Sequence, residues 1–256
     1  MTSVWMAGST ARSGEEREGS VTDLDVLRRL AVIGVLLAIV IGVVSTLAAF
    51  AAFGWDFEAT VFGHPDAILG GRPESALLFR WAFLGDMFYS YLLLVPLALF
   101  VHRRLRERQA WLADLGLAAA LAYIFLGGAG AAILATAGSS LIEAYADAAP
   151  ADRLAIATSY DLVRDLVYFA LWQTLDAITL GTWVFSVGWL LLAERPLVGR
   201  LLVVLGVGAW AAAVMTMLDI HSLAVIGVGL LVVLAVWLGW VVIDRGRGRR
   251  VARPVT

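Results

Sequence analysis

Two aspartates stand where lipid should not tolerate them: Asp86 inside the apolar run 76–101, and Asp176 inside 161–192. A carboxylate at mid-span costs about 2.5–3.5 kcal/mol on insertion scales, so such residues turn to the protein interior and mark ion, proton or ligand sites. The chemistry open to them is cation binding, proton relay, or acid–base work on a substrate held nearby. Their neighbours sort by spacing. On a 100° wheel Asp165, Tyr168, Trp172, Gln173, Asp176 and Thr179 share one stripe, with Val167, Leu171, Ala177 and Val184 opposite. Arg80, Tyr89 and Ser90 accompany Asp86, Arg164 adjoins Asp165, and Asp219 shares a short turn with His221. These residues, Thr179 and the four apolar ones apart, are the expected ligand-binding set, with Tyr168 and Trp172 read more readily as interfacial anchors.

Depth argues that they meet. About 20 residues cross the hydrocarbon core, which sets the outer edge of the membrane near Ala82 on the second span and near Gln173 on the fourth. Asp86 and Asp176 then lie about one turn, roughly 5 Å, below it. Arg80 and Asp86 are six apart and cannot pair within one helix, so Arg80 or Arg164 is expected to serve as counter-ion across two helices. Interhelical polar contacts of this kind also act as packing glue, and that reading competes with a pocket.

Other chemistries find little support. The chain has no cysteine, which excludes disulfides, thiolate metal sites and a Cys nucleophile. His64, His102 and His221 are scattered, show no HExxH or paired spacing, and lie outside the spans, so neither a metal site nor haem is expected; His102 reads as solvated. Ser45, Ser90 and Ser186 have no histidine in reach, and GxSxG, P-loop and GxGxxG motifs are absent. No cofactor, no catalytic residue and no nucleic-acid partner is expected at a net charge of −2.

The elements that position these residues follow from composition. Apolar residues make up 61% of 256 and charged residues 16%, and mean hydropathy is +0.86, an excess that needs lipid. The expected fold class is an all-α polytopic membrane protein with six transmembrane helices, at about 30–53, 76–101, 111–137, 162–192, 197–218 and 222–243. Residues 1–24 are expected to be a disordered tail without signal-peptide order, 54–75 and 139–160 to be loops, and 245–256 a basic tail. Pro96 should kink the second span, Pro150 should open a helix, Gly42 and Thr46 should form a close-packing face, and the GGAGAA run at 127–132 should admit a neighbouring backbone. Trp237 and Trp240 should anchor at the interface.

All 19 basic residues are arginine. Arg12, Arg17, Arg28, Arg29, the four between Arg103 and Arg108, Arg195, Arg200 and the five between Arg245 and Arg253 fall on one side, against Arg72, Arg80, Arg153 and Arg164 on the other. The positive-inside rule then makes both termini cytoplasmic.

From Thr179 the pattern TLGTWVFSVGWLLLAERPLVGRLLVVLGVGAWAAAVM has a span ending GWLLL, a short basic connector with proline, and a Gly-rich next span. It resembles the bacterial six-span proteins grouped as domain of unknown function 4386, mainly over residues 179–215. That resemblance implies a six-helix inner-membrane protein and transfers no catalytic residue; Asp86 and the acidic tail have no counterpart in it. The expected role is non-enzymatic: a polar pocket near the outer face that binds a small molecule, a lipid head group, a partner helix or a second copy. The alternatives are a proton-coupled transporter using Asp86 and Asp176, opposed by a dry inner half, and a membrane-embedded lipid-modifying enzyme with Asp86, Asp176 or His221 as acid or base.

Overall fold

The computed structural model describes residues 7–53 and 74–220, together with Val233, Val236, Trp237, Gly239 and Trp240. Every regular element among them is helical. Five helices are long and apolar enough to cross a membrane: Asp23–Ala51, Ser75–Leu105, Ala110–Asp147, Arg153–Leu191 and Pro196–Met217. We number these spans one to five. The sixth expected span lies outside the described residues except for the five named above, as does the first expected loop up to residue 73.

Span one belongs to a helix that begins at Ala7, where a disordered tail was expected. Adding residues to a helix already nucleated by an apolar run is far less costly than starting one. The second expected loop is also corrected. Span three stays helical to Asp147 and span four starts at Arg153, so only 148–152 turn. This stretch is rich in alanine, the best helix former, and its acidic residues did not outweigh that. Pro150 sits in the turn rather than at a helix start.

Three spans change pitch on the way. Span two passes from α-helix (Glu74–Asp86) through a π segment, Met87–Tyr91, and a 3₁₀ turn, Leu92–Leu94, to α-helix again from Val95. Pro96 accounts for this break, because it lacks an N–H and its ring crowds the carbonyl four residues back, that of Leu92. Span three carries a π segment at Leu134–Gly138, and span four one of 11 residues at Leu166–Asp176. Pro196 opens span five at its first turn. That span closes with Ile220 N–H on Met215 O (2.9 Å) and Asp219 N–H on Thr216 O (3.0 Å). Asp219 takes the left-handed φ of 63° that this ending requires.

Packing is closest between spans four and five. A Cβ at Gly188 would stand 2.7 Å from Val203 N and 2.9 Å from Gly199 O, and one at Gly206 would stand 2.8 Å from Gly181 O. On span one, Gly34 lies against Leu93 O and Gly42 against the Tyr89 ring, whereas Thr46 is exposed; the close-packing face is offset from the expected one. Trp237 and Trp240 are corrected from interface to core. They are 1% and 4% exposed, Trp237 stacks on Trp183 at 5.5 Å, and Trp240 meets Phe100 at 5.9 Å.

Candidate functional site

Asp86 ends the first α-helical part of span two, and Asp176 is the last residue of the π segment of span four. Each thus sits where the helix changes pitch. Irregular helix at membrane depth persists only where it is buried in protein or lines a cavity, and π segments recur at functional sites. Asp86 accepts a hydrogen bond from Ser90 Oγ at 2.7 Å, with the Tyr89 hydroxyl beside it. Asp176, 4% exposed, accepts one from Tyr91 Oη on its Oδ2 at 3.0 Å. Tyr123 of span three donates to the Ser90 carbonyl at 3.3 Å, and its ring lies 5.1 Å from that of Tyr91. Asp86, Ser90, Tyr91, Tyr123 and Asp176 form one cluster across spans two, three and four.

The glycine run of span three makes this cluster possible, and by a route other than the expected one. A Cβ at Gly127 would collide with the Tyr91 ring and Asp176 Oδ2, and one at Gly130 would stand 2.7 Å from Trp172 Nε1. The run therefore admits side chains, not a backbone. Trp172 donates from Nε1 to the Gly127 carbonyl at 3.2 Å.

The expected counter-ions go elsewhere. Arg80 pairs with Glu143 at 3.7 Å and donates to Ser139 Oγ at 3.2 Å. Arg164 pairs with Asp161 at 2.8 Å and Asp165 at 3.0 Å. Glu143 and Ser139 are near enough to compete because the supposed loop is helix, and Asp161 and Asp165 are Arg164's own neighbours in the chain. Among the described residues no arginine or histidine pairs with Asp86 or Asp176. Gln173, 1% exposed, accepts from Thr216 Oγ1 of span five at 3.2 Å. Gln173 Nε2 and Asp176 Oδ1 are buried without a hydrogen-bond partner among the described residues.

The stripe of span four needs correction as well. Tyr168 is 4% exposed and packs edge-on against Trp172 at 4.9 Å, which in turn meets Phe83 at 5.9 Å; these are interior residues, not interfacial anchors. Val167, placed on the far face, is fully buried. A 100° wheel fails across 11 residues whose hydrogen bonds run i→i+5. Asp219 is exposed at the end of span five, and His221 lies outside the described residues. His102 is half-buried, its side chain 16% exposed, with Nε2 2.7 Å from Oδ1 of the half-exposed Asp114. Sequence reasoning missed Tyr91 and Tyr123. Their signal was an aromatic hydroxyl at mid-span, which needs a partner when buried.

A crevice is lined by Ala98, His102, Leu112, Gly116, Trp183 and Leu190, at the end of the bundle away from the aspartates. No group of three or more His, Cys, Asp or Glu able to hold a metal gathers among the described residues. In the aspartate cluster the Ser90 and Tyr91 hydroxyls serve the carboxylates, Tyr123 serves the Ser90 carbonyl, and Asp176 Oδ1 is left over among the described residues. Comparison with protein-family models, with curated proteins and with solved structures finds no match for this chain.

Proposed function

We propose that this chain is a six-span protein of a bacterial inner membrane, with both termini in the cytoplasm, whose outer polar layer binds a small molecule, a lipid head group or a partner helix. The observation that carries the reading is that Asp86 and Asp176 each accept a hydroxyl, from Ser90 and Tyr91, in one cluster that Tyr123 bridges, while both nearby arginines are engaged elsewhere. Packing glue alone would favour charge-neutral contacts, because an uncompensated buried carboxylate is costly. The pitch changes at both aspartates support the same reading.

Ligand-dependent thermal stabilisation in detergent tests it. Choline, ethanolamine and glycerophosphoethanolamine serve as soluble probes. At least one should raise the unfolding midpoint of the wild type, and Asp86→Asn should remove that shift. If Asp86→Asn lowers stability and no probe shifts the wild type, the layer is glue. Proton flux or uptake in vesicles that Asp176→Asn abolishes would replace this reading with transport.

A further inference from the structure

Span five leaves little room to hide a charge. Its 22 residues, Pro196–Met217, measure about 33 Å at 1.5 Å per residue, close to the roughly 30 Å of a hydrocarbon core. Arg200, four residues in, therefore sits about 6 Å inside the start of the helix. It is exposed, and it shares its stripe with the exposed Leu197, Leu201 and Val204. An arginine on such a surface turns its guanidinium back toward the head groups. No acid of the protein meets it there. Glu194 pairs with Arg104 and Arg108, and Asp114 with Arg106 and His102. Among the described residues no carboxylate pairs with Arg200, or with Arg195 at the helix start.

The glycine crossing gives the depth independently. A Cβ at Gly188 would stand 2.9 Å from Gly199 O, so the next residues, Trp189 and Arg200, lie within about 3 Å of one height. Trp189 is exposed, as an indole at head-group level is. Its ring stacks on Phe185 at 5.9 Å, and Phe185 meets Trp210 at 5.0 Å. These half-exposed rings run inward from Trp189 along the two spans. They run on Arg200's side of the crossing. Span five is regular α-helix, so Trp210 falls about 80° from Arg200, with Gly199 and Gly206 about 100° and 120° away in the same sense.

We propose that this flank of spans four and five binds one anionic phospholipid, its phosphate on the Arg200 guanidinium and an acyl chain along Trp189, Phe185 and Trp210. The site is separate from the aspartate cluster and stands in either orientation of the chain. A guanidinium presents a planar fork that matches two phosphate oxygens. In a zwitterionic lipid that phosphate already faces its own ammonium. In an anionic one its charge is left for the protein, and Arg195 adds positive charge at the same helix end. A second copy fits the flank less well. A two-fold contact through it would set two arginines together, and the exposed residues around them, Leu197, Leu201, Val204 and Trp189, offer no carboxylate.

The experiment is thermal unfolding of the full chain in detergent, titrated with phosphatidylglycerol or with phosphatidylcholine of the same acyl chains. Phosphatidylglycerol should raise the midpoint more. Arg200→Gln should need about fivefold more of it, or more still, for half the shift, the effect of one arginine at an anionic surface. Arg29→Gln, which removes an exposed arginine of span one, should leave the titration unchanged. Glycerol 3-phosphate, a head group without chains, should give no shift. Should Arg200→Gln fail to fold, Arg200→Lys, which keeps the charge and loses the fork, must bind phosphatidylglycerol more weakly than the wild type. Equal responses to the two lipids, an unchanged Arg200→Gln titration, or an equal loss in Arg29→Gln would each overturn the proposal. A full shift from glycerol 3-phosphate would replace the lipid with free phosphate. A wild type dimeric in lipid-free detergent that Leu201→Arg makes monomeric would give the flank to a second copy.

Discussion

A methyl group at position 127 would occupy space that the Tyr91 ring and Asp176 Oδ2 now fill, so Gly127→Ala must push Tyr91 away from its carboxylate. The expected cost is about 1–3 kcal/mol, the usual range for overpacking a tight interior. Gly208 offers the control. Nothing lies within 4 Å of a Cβ there, and Gly208→Ala should leave stability unchanged or raise it by about 0.5–1 kcal/mol through the lower entropy of the unfolded chain. Thermal unfolding of the two variants side by side decides the matter, and equal midpoints would mean that Tyr91 and Asp176 do not meet over Gly127. The comparison also locates what single residues revealed in the sequence. That Asp86 and Asp176 must turn inward followed from the cost of charge in lipid. Ser90, four residues from Asp86, was within the expected set; Tyr91 was not, because its place beside Asp176 depends on helix pitch, and the arginines had closer acids of their own.

Pitch is the property that a helical wheel assumes and does not measure. The wheel presupposes 3.6 residues per turn, and three spans depart from it, at Met87–Tyr91, Leu134–Gly138 and Leu166–Asp176. Proline gave notice of the first; neither of the others has such a marker, so Val167 was placed on the wrong face. Glycine spacing proved a better guide at the crossing of spans four and five, where Gly181, Gly188, Gly199 and Gly206 bring backbone against backbone. A side chain at Gly199 would strike Leu192 N at 2.8 Å and Gly188 O at 2.9 Å, and neither backbone atom can yield as a flexible side chain can. Gly199→Val should therefore part the two spans and cost more than Gly127→Ala. Because Thr216 of span five reaches Gln173, the variant should also loosen the polar layer, read as earlier proteolysis of the 148–152 turn. A Gly199→Val protein as stable and protease-resistant as the wild type would show that the crossing is looser than this packing requires.

At the scale of the whole molecule, the arginines have two duties that bear on one another. As a count, they carry the proposed orientation of the chain. As side chains, they tie the connectors on the crowded side: Arg104 and Arg108 pair with Glu194, Arg108 also donates to Leu190 O at 2.9 Å, and Arg106 pairs with Asp114 at 3.2 Å. Pairs of this kind, part-exposed at Glu194 and exposed at Asp114, are weak where water reaches them, at about 1 kcal/mol or less for an exposed pair, so the proposed orientation would give a further reason for so many arginines on one face. Among the described residues five helices have the required length and hydropathy, and the sixth expected span lies almost wholly outside them. The orientation itself is testable without background labelling, since the chain has no cysteine. Ala151 lies exposed in the turn between spans three and four, and Glu107 exposed in the connector between spans two and three; one span separates the two sites. In intact spheroplasts a membrane-impermeant maleimide should modify Ala151→Cys and spare Glu107→Cys until the membrane is opened. The reverse pattern would invert the molecule and carry the aspartate cluster to the cytoplasmic face. Labelling of both in intact cells would mean that the helix from Ala110 to Asp147, for all its hydropathy, does not cross.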